Sequence, residues 1–293
     1  MNKLFFCVLS VCWVFASSAK EYVLPDNGLR VIGENTYYQV QKGDYFQQVA
    51  EDFNVGFLAL MAANPNVDPF LPAPNTELVI PTKLILPFIK HHGIVINLAE
   101  LRLYYFEPEQ NVVHVFPVGI GREGLKTPST VSFISDKRKD PVWRPTAEMK
   151  ARYLQQHGKP LEDVVPPGEN NPFGKYALRL GTSEYLIHGT NQRFGIGMRA
   201  SSGCIRMFDA DIEWLFNHVP VKTAVAIIDQ PIKMSYEGGQ QKHLEIHQPL
   251  SDTNSQLYQK SLQQLSHFVG EDLSELALTE LINQASGLVV QIK

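Results

Sequence analysis

The segment from Tyr185 to Met207 reads YLIHGTNQRFGIGMRASSGCIRM and joins a β-type run to a cysteine. His188 ends the β-type run, and Cys204 follows sixteen residues later in the stretch SSGCIR. The glycines between them allow the chain to fold back, so that the imidazole can reach the thiol. A thiol nucleophile needs such a base, or a partner that lowers its pKa. The segment therefore predicts a cysteine–histidine site carried on β-strands.

Two other interpretations of His188 and Cys204 stay open at this point. They could be metal ligands, although no second cysteine, histidine pair or acidic cluster lies near them in the sequence. They could also be core residues, because an unpaired cysteine is among the most often buried residue types. His243 and His247 have ligand-like spacing, but no partner lies beside them, so we expect a structural or surface role. The sequence implies no metal and no cofactor.

Composition narrows the function classes. The chain has 293 residues, 44% of them hydrophobic and 19% charged, which is typical of about two globular domains. The net charge is −4 and no basic stripe is present, which argues against nucleic-acid binding. The stretch Gly119–Gly124 matches GxGxxG, but turn and strand residues follow it where a dinucleotide site needs a helix.

Residues 1–19 have the pattern of a signal peptide. They contain a lysine, an apolar run and a Ser-Ser-Ala cleavage site, so we expect the mature chain to begin at Lys20. Cleavage removes Cys7 and Cys12 and leaves Cys204 alone in an exported protein. A solitary cysteine in an oxidising compartment is either buried and inert or a reactive thiol.

Residues 36–82 predict a β-α-α-β arrangement in which two short helical patterns lie between two strands. The stretches Tyr38-x-Val40, Lys42-Gly43-Asp44, Val49-Ala50, Phe53-x-Val55, Leu60, Asn64-Pro65 and Leu78-Val79-Ile80-Pro81 resemble a LysM domain, and we call this segment the LysM unit. Asn75 stands where the family usually has glycine. The resemblance implies binding to the N-acetylated glycan of peptidoglycan or chitin; a packing module with degenerate binding loops is the alternative.

Residues 92–230 are predicted to be mainly β. Apolar runs separated by turn signals predict strands at 94–97, 102–106, 112–118, 131–135, 176–180, 184–188 and 224–228. A proline-rich segment, residues 140–172, interrupts them with one amphipathic helix around 146–157. Long loops of this kind are often lids over a site, and we call it the lid segment.

Residues 231–293, here the C-terminal unit, differ in pattern. A Gly238-Gly239 turn separates two potential strands, and two amphipathic helices follow at 255–269 and 273–284. We expect a largely helical extension without chemistry of its own, which packs against the body of the protein in preference to docking a partner.

The motif H-G-T-N…G-I-G-x-R…S-S-G-C-I-R-M resembles the L,D-transpeptidase catalytic domain, also called the YkuD domain. The resemblance covers roughly residues 92–230, which we call the catalytic unit on this ground, and implies a β-sandwich-like fold with a lid and short helices. It is greatest to the periplasmic subgroup that ties an outer-membrane lipoprotein to peptidoglycan, and there it includes the stretches PVWRPTAEM and VVPPGENNPFG.

The resemblance implies a role for each matching residue. Cys204 would be the nucleophile and His188 its general base, with the carbonyl of Gly189 orienting the imidazole. The N–H groups of Gly203 and Cys204 would form the oxyanion hole, and Arg206 would hold a substrate carboxylate.

Four further residues are expected at the substrate. The stretch around the two motifs places Ser201, Ser202 and Thr190 there, and Trp143 would line the cleft, although a single aromatic is more often a core residue. Ser202 departs from the family, which often has a second histidine at that position, so His188 must act alone.

The implied reaction is acyl transfer within peptidoglycan. The thiolate attacks a tetrapeptide stem, D-alanine leaves, and an amine takes the acyl group; the amine belongs to another stem or to an anchored outer-membrane protein. Two alternatives remain at this stage. One is an L,D-carboxypeptidase or amidase that passes the same acyl group to water, and the other is a non-catalytic peptidoglycan-binding protein.

Overall fold

The computed structural model describes residues 20–250 and 255–292. The predicted signal peptide lies outside these described residues. Within them, no helix is both long enough and apolar enough to cross a membrane. The strands are β1 (Lys20–Val23), β2 (Val31–Ile32), β3 (Thr36–Gln39), β4 (Glu77–Ile80), β5 (Leu84–Ile85), β6 (Gly93–Asn97), β7 (Arg102–Glu107), β8 (Val112–Pro117), β9 (Ile120–Gly121), β10 (Thr130–Lys139), β11 (Tyr176–Leu180), β12 (Leu186–His188), β13 (Arg199–Ser201), β14 (Ile205–Arg206), β15 (Ala224–Ile228), β16 (Ile232–Glu237), β17 (Gln241–Ile246) and β18 (Val290–Ile292). The helices are α1 (Phe46–Asp52), α2 (Phe57–Ala63), α3 (Ala147–His157), α4 (Asp209–His218), α5 (Gln256–Val269) and α6 (Glu275–Gln284).

The expected mainly β fold is confirmed by a nine-stranded sheet in the order β1-β8-β7-β6-β15-β10-β11-β12-β14. Both faces of its central strands are buried. Ile94 and Ile96 of β6 pack in the core that contains Ile212 of α4. Val95, between them, packs with Leu84 on the opposite face. Alternate side chains enter opposite cores, which explains the continuous apolar runs.

Strand β10 joins the two halves of this sheet. It pairs with β15 through Thr130–Phe133 and with β11 through Ile134–Lys139, and the register shifts between Ile134 and Asp136. An irregularity of this kind bends a strand and lets it change partners. The second half, β11-β12-β14, carries His188 at the end of β12, next to the edge strand β14.

The LysM unit has the predicted β-α-α-β order, with β3 and β4 antiparallel and α1 and α2 between them. Phe46, Leu60 and Ile80 form its buried core. Asn64 closes the fold after α2: its Nδ2 donates to the Leu60 carbonyl at 2.8 Å, and its Oδ1 accepts from the Val79 N–H at 2.8 Å. Asn64 therefore fixes the end of α2 against β4.

The C-terminal unit contains more strand than the sequence predicted. A three-stranded sheet, β16-β17-β18, packs beside α5 and α6. Leu244 of β17 and Leu265 and Phe268 of α5 are buried together. The third strand, β18, is short and is the next element after α6. No periodic pattern in the sequence predicted it. The unit is thus a small α/β domain in place of a helical extension.

A buried charge cluster joins the catalytic and C-terminal units. The Nζ of Lys233 lies 2.8 Å from Glu100 and 2.9 Å from Glu245, and Arg102 lies 3.0 Å from each of the same two carboxylates. His247 also contacts Glu245, at 2.7 Å. Burial alone would raise the pKa of Glu100 and Glu245, but the two cations hold both pKa values low. The two carboxylates and His247 have the spacing of a metal site, yet Lys233 and Arg102 already supply the compensating charge.

Candidate active site

His188 ends β12, and Cys204 directly precedes β14, the neighbouring strand at the edge of the large sheet. Strands β12 and β14 are parallel, with Ile187 opposite Ile205 and His188 opposite Arg206. Because side chains alternate, Ile187 and Ile205 enter the core and His188 and Arg206 lie on the other face. Cys204, which directly precedes β14, therefore lies beside the strand that carries the imidazole.

The imidazole of His188 is buried, with 3% of its surface exposed. Its Nδ1 lies 2.6 Å from the carbonyl oxygen of Gly189, and the ring of Phe173 lies 4.7 Å away between centroids. A proton on Nδ1 donates to that carbonyl, which leaves Nε2 with a lone pair to accept a proton. The neighbouring carbonyl and ring thus determine the orientation and the tautomer of His188.

Burial keeps the His188 imidazole and the Cys204 thiol uncharged. It lowers the pKa of His188 to about 3, and the positive charge of Arg206 contributes to the lowering. Burial also raises the pKa of the Cys204 thiol, against the opposing effect of a hydrogen bond from the Leu186 backbone. At neutral pH the imidazole of His188 and the thiol of Cys204 are therefore both uncharged.

The turn before Cys204 is held by Ser201. Its hydroxyl donates to the Cys204 carbonyl at 2.6 Å and accepts from the Gly203 N–H at 3.1 Å. Ser201 is 2% exposed, so the expected substrate contact is corrected to a role inside the turn. The Gly203 N–H is likewise engaged in this conformation, so it is not the open oxyanion donor that was expected.

Sequence reasoning missed Thr127. Its buried hydroxyl donates to the Gly203 carbonyl at 2.7 Å and accepts from the Gly121 N–H at 3.0 Å. Gly121 suits the close approach, because a Cβ there would lie 2.1 Å from the Leu125 carbonyl oxygen. Thr127 and Gly203 are 76 residues apart, and neither spacing nor periodicity in the sequence connects them.

Thr190 is also corrected. It is buried, its N–H donates to Asp209 at 3.4 Å, and its hydroxyl accepts from the Gln192 N–H at 3.0 Å. These bonds shape the loop after His188. Asp209 is the first residue of α4, whose N-cap is Phe208.

Two clefts flank the lid segment. The first, of about 840 Å³, reaches Cys204, and the second, of about 830 Å³, reaches Ser202 and Arg206. Trp143 and Met149 of the lid segment line both clefts. Basic side chains are common in both, namely Lys137, Arg138, Lys139, Arg144 and Arg179 in the first and Arg122, Arg152, Lys159 and Arg206 in the second. Asp136, Asp140 and Glu184 also line the first cleft, and Glu162 and Glu169 line the second, so basic side chains outnumber acidic ones in each. This excess of positive charge favours ligands that carry carboxylates.

The base of the lid segment is closed by backbone pairing. The Trp143 N–H donates to Val165 at 3.0 Å, and the Val165 N–H donates back at 2.9 Å. The Asn171 side chain donates to the Pro141 carbonyl at 2.8 Å. The part between Trp143 and Val165, which includes α3, is thus a discrete excursion over the two clefts.

Arg206 presents spare hydrogen-bonding capacity near Cys204. Its Nη1 lies 3.4 Å from the Gln192 side chain, a long contact, and its Nε has no hydrogen-bond partner among the described residues. Burial lowers the pKa of the guanidinium, although the Cys204 thiol opposes this. A planar guanidinium with free donors is suited to a carboxylate ligand.

A histidine with one nitrogen held by a carbonyl, on a strand adjacent to the turn of a cysteine that lines a cleft, is an arrangement that suits acyl transfer through cysteine. Family models match three segments of the chain: the L,D-transpeptidase catalytic domain at residues 91–227, the L,D-transpeptidase C-terminal domain at 231–292, and the LysM domain at 38–81. The C-terminal unit thus matches a separate family model, which its sequence pattern did not suggest.

Named relatives agree with these matches. The chain is 48% identical over 248 residues to "Probable L,D-transpeptidase YcfS" of Escherichia coli, covering 83% of this chain and 77% of that protein. It is 41% identical over 297 residues to "Probable L,D-transpeptidase YbiS" of the same organism, covering 98% and 96%. The chain belongs to the L,D-transpeptidase family. Its LysM and catalytic domains together imply that it binds peptidoglycan.

Among solved structures, the chain is similar to L,D-transpeptidase 3 from Mycobacterium tuberculosis. The identity is 16%, the TM-score is 0.37, and the match covers 52% of this chain and 67% of that one.

Proposed function

We propose that this protein is a periplasmic L,D-transpeptidase that uses Cys204 to transfer a peptidoglycan tetrapeptide stem from D-alanine to an amine. One observation carries the proposal: Cys204 opens into the first cleft, next to the strand whose last residue, His188, has its Nδ1 held 2.6 Å from the Gly189 carbonyl. That arrangement leaves Nε2 as the proton acceptor for the thiol.

The first half-reaction forms a thioester. As the Cys204 sulfur attacks the diaminopimelate carbonyl, its proton passes to Nε2 of His188. The carbon–nitrogen bond to D-alanine then breaks, and the leaving amine takes that proton from the imidazole. The Cys204 N–H is the oxyanion donor that we retain from the expected pair, since the Gly203 N–H serves Ser201.

The second half-reaction releases the enzyme. An acceptor amine attacks the thioester carbonyl and gives up a proton to His188, and the Cys204 sulfur leaves and regains a proton. The product is a new amide. The acceptor is the side-chain amine of a second diaminopimelate stem, or a lysine of an outer-membrane lipoprotein.

The clefts on either side of the lid segment suit the two partners of this reaction. The first contains Cys204 and would hold the donor stem; the second contains Arg206 and Ser202 and would receive the acceptor. Peptidoglycan stems carry several carboxylates, which match the basic side chains in both. Trp143, which lines both clefts, would contact either chain.

Export and domain limits complete the proposal. Residues 1–19 direct the chain to the periplasm, the LysM unit (36–82) binds the glycan, the catalytic unit (92–230) performs the transfer, and the C-terminal unit (231–293) supports it. Cell fractionation together with N-terminal sequencing tests the export step. A periplasmic protein that begins at Lys20 is expected, and a full-length cytoplasmic protein would contradict it.

Incubation with purified murein sacculi tests the reaction. Mass analysis of the released muropeptides should show diaminopimelate–diaminopimelate dimers, or a peptide remnant of an anchored protein. Cys204→Ala should abolish these products and still bind the sacculi. Trimmed monomers alone would identify a hydrolase, and binding without any cysteine-dependent product would identify a non-catalytic wall protein.

A further inference from the structure

The loop between the two proposed reacting residues rests on the LysM unit. Gly197 lies in this loop and packs backbone to backbone against Gly56, which precedes α2. A Cβ added to Gly197 would lie 2.3 Å from the Cα of Gly56. The Gly197 carbonyl also accepts a hydrogen bond from the Leu58 N–H at 3.1 Å. It thereby satisfies one of the N–H groups that the start of a helix leaves unpaired.

The opposite side of the same loop faces the proposed site. A Cβ on Gly195 would lie 3.1 Å from Nη1 of Arg206, and a Cβ on Gly119 would lie 2.1 Å from the Gly195 carbonyl oxygen. The Ile120 N–H donates to the Met198 carbonyl at 3.0 Å. A single segment of backbone therefore separates the LysM unit from Arg206. Because this segment is in close contact on both sides, a shift of the LysM unit would displace Arg206.

Side chains strengthen this contact. Arg193 of the loop forms an ion pair with Glu51 of α1. Met198 packs on the LysM core, and Leu58 packs on both the LysM core and the catalytic core. The two cores are thus continuous at this point, so the LysM unit is not a separate domain on a flexible linker.

A second contact reaches the helix that follows Cys204. The Asn54 side chain donates to Asp211 of α4 at 3.3 Å, and both residues are buried. The LysM unit therefore touches the chain both before and after the cysteine turn.

We propose that the LysM unit is a positioning element of the transpeptidase site, in addition to any glycan it binds. It holds the loop of residues 189–199 against Arg206, and so keeps Arg206 and the Cys204 turn in the geometry that the reaction needs. This inference rests on the proposed function. A misplacement of about 1 Å can lower a catalysed rate about a hundredfold, so a wedge at this contact has a measurable consequence.

The test uses the processed full-length protein and a soluble tetrapeptide donor that carries no sugar. Recruitment through the glycan then contributes nothing to the rate. Gly56→Leu inserts a side chain at the contact, where the Cβ alone would lie 3.1 Å from Gly197. Gly56 has φ −73° and ψ 142°, which any residue adopts, so the change adds bulk without backbone strain. Gln48→Leu places the same residue on the exposed side of α1 and is the matched control.

We expect Gly56→Leu to lower kcat about tenfold or more with a smaller change in KM, and Gln48→Leu to match the wild type. Binding to N-acetylglucosamine oligomers checks that the LysM unit of each variant is folded. A folded Gly56→Leu protein with wild-type kcat would overturn the inference.

A charge pair gives a second test should Gly56→Leu not fold. Glu51→Arg places two cations together and should lower kcat about twofold to fivefold, and adding Arg193→Glu should restore it. Unchanged kcat in Glu51→Arg would then decide against the positioning role.

Failure of the proposed function gives a different result. In that case the wild type itself does not turn over the tetrapeptide. The rate at which iodoacetamide alkylates Cys204, followed by peptide mass mapping, remains as a readout of the site's geometry. Gly56→Leu should change that rate at least about twofold, because the loop and Arg206 move relative to the thiol. An unchanged rate would refute the positioning role independently of transpeptidase activity.

Discussion

The Thr127 hydroxyl donates a 2.7 Å hydrogen bond to the carbonyl of Gly203, the residue before Cys204. The same hydroxyl accepts from the Gly121 N–H at 3.0 Å. One buried side chain therefore ties the turn of residues 121–127 to the peptide that precedes the proposed nucleophile.

Replacement of Thr127 by valine keeps the volume and removes both hydrogen bonds. The Gly203 carbonyl and the Gly121 N–H lose their partner, which costs about 1–3 kcal/mol for each buried group left unpaired. We expect Thr127→Val to lower the free energy of unfolding accordingly and to reduce kcat about tenfold through misplacement of Cys204. Thr127→Ser retains the hydroxyl and should restore most of kcat. Equal kcat values for the two variants would show that the bond does not position the thiol.

The low pKa of His188 predicts an unusual pH profile. An ordinary imidazole titrates near pH ~6.5, but burial lowers the pKa of His188 to about 3. The imidazole therefore stays neutral and able to accept a proton well below pH ~6. We expect the single-turnover rate of Cys204 acylation to lack an acid limb near pH ~6.5. Rapid-quench measurements across the range check this, and a limb at that pH would show that His188 is solvated in the working enzyme.

The raised pKa of Asp211 predicts that the protein becomes less stable as pH rises. Burial raises its pKa from 3.8 to about 7, with the hydrogen bond from Asn54 acting against the rise. Between these values the folded protein holds one more proton than the unfolded chain, so the stability due to Asp211 falls as pH rises through this range. We expect Asp211→Asn to be about 2–4 kcal/mol more stable than the wild type at pH ~8 and equal to it at pH ~4. Urea denaturation at the two pH values measures the difference, and a gain that does not vary with pH would contradict the assignment.

The buried charge cluster predicts that replacing its lysine lowers the free energy of unfolding strongly, whereas replacing a lysine near the surface lowers it only slightly. Lys233→Met leaves Glu100 and Glu245 with less compensation and should cost about 3–5 kcal/mol of unfolding free energy. Lys242, on the neighbouring strand β17, pairs with Asp272 at 2.6 Å near the surface. Lys242→Met should cost less than about 1 kcal/mol.

Denaturant titration of the two lysine variants provides the comparison. The same experiment reports whether the catalytic and C-terminal units still unfold in one transition, since Lys233 belongs to the C-terminal unit and Glu100 to the catalytic unit. Similar losses for both variants would mean that the cluster contributes no more than a surface pair.

The lid segment predicts a change in product ratio. Replacement of residues 144–164 by a short glycine-containing turn keeps the paired residues Trp143 and Val165 and opens both clefts. Water then reaches the thioester, so the ratio of trimmed tripeptide to cross-linked product should rise.

Mass analysis of muropeptides measures that ratio. Lys150→Ala is the control, because it removes only the exposed 2.6 Å ion pair with Asp163 within the lid segment and should leave the ratio unchanged. An unaltered ratio after the replacement would exclude the lid role.

The local sequence was sufficient for the elements that depend on neighbouring residues. Apolar runs predicted the central strands, because both sheet faces are buried and most residues of these strands are apolar. The helix of the lid segment was predicted at 146–157 and observed at Ala147–His157, with Thr146 as a regular N-cap. The motif also predicted that the chain folds back between His188 and Cys204, and β12 and β14 are indeed adjacent. The third strand of the C-terminal unit was missed, because its three residues are too few to show a period.

The tertiary structure alone decided the roles that depend on distant partners. Ser201 and Thr190 lie in the motif, but their hydroxyls serve the backbone around them. Thr127 lies outside the motif and reaches the residue before Cys204. Gly56 and Gly197 belong to different units, and only folding brings their backbones into contact. A sequence determines which chemical groups are available and which local elements they form; burial and hydrogen bonding between distant segments determine which groups face a substrate and which are used to hold the fold.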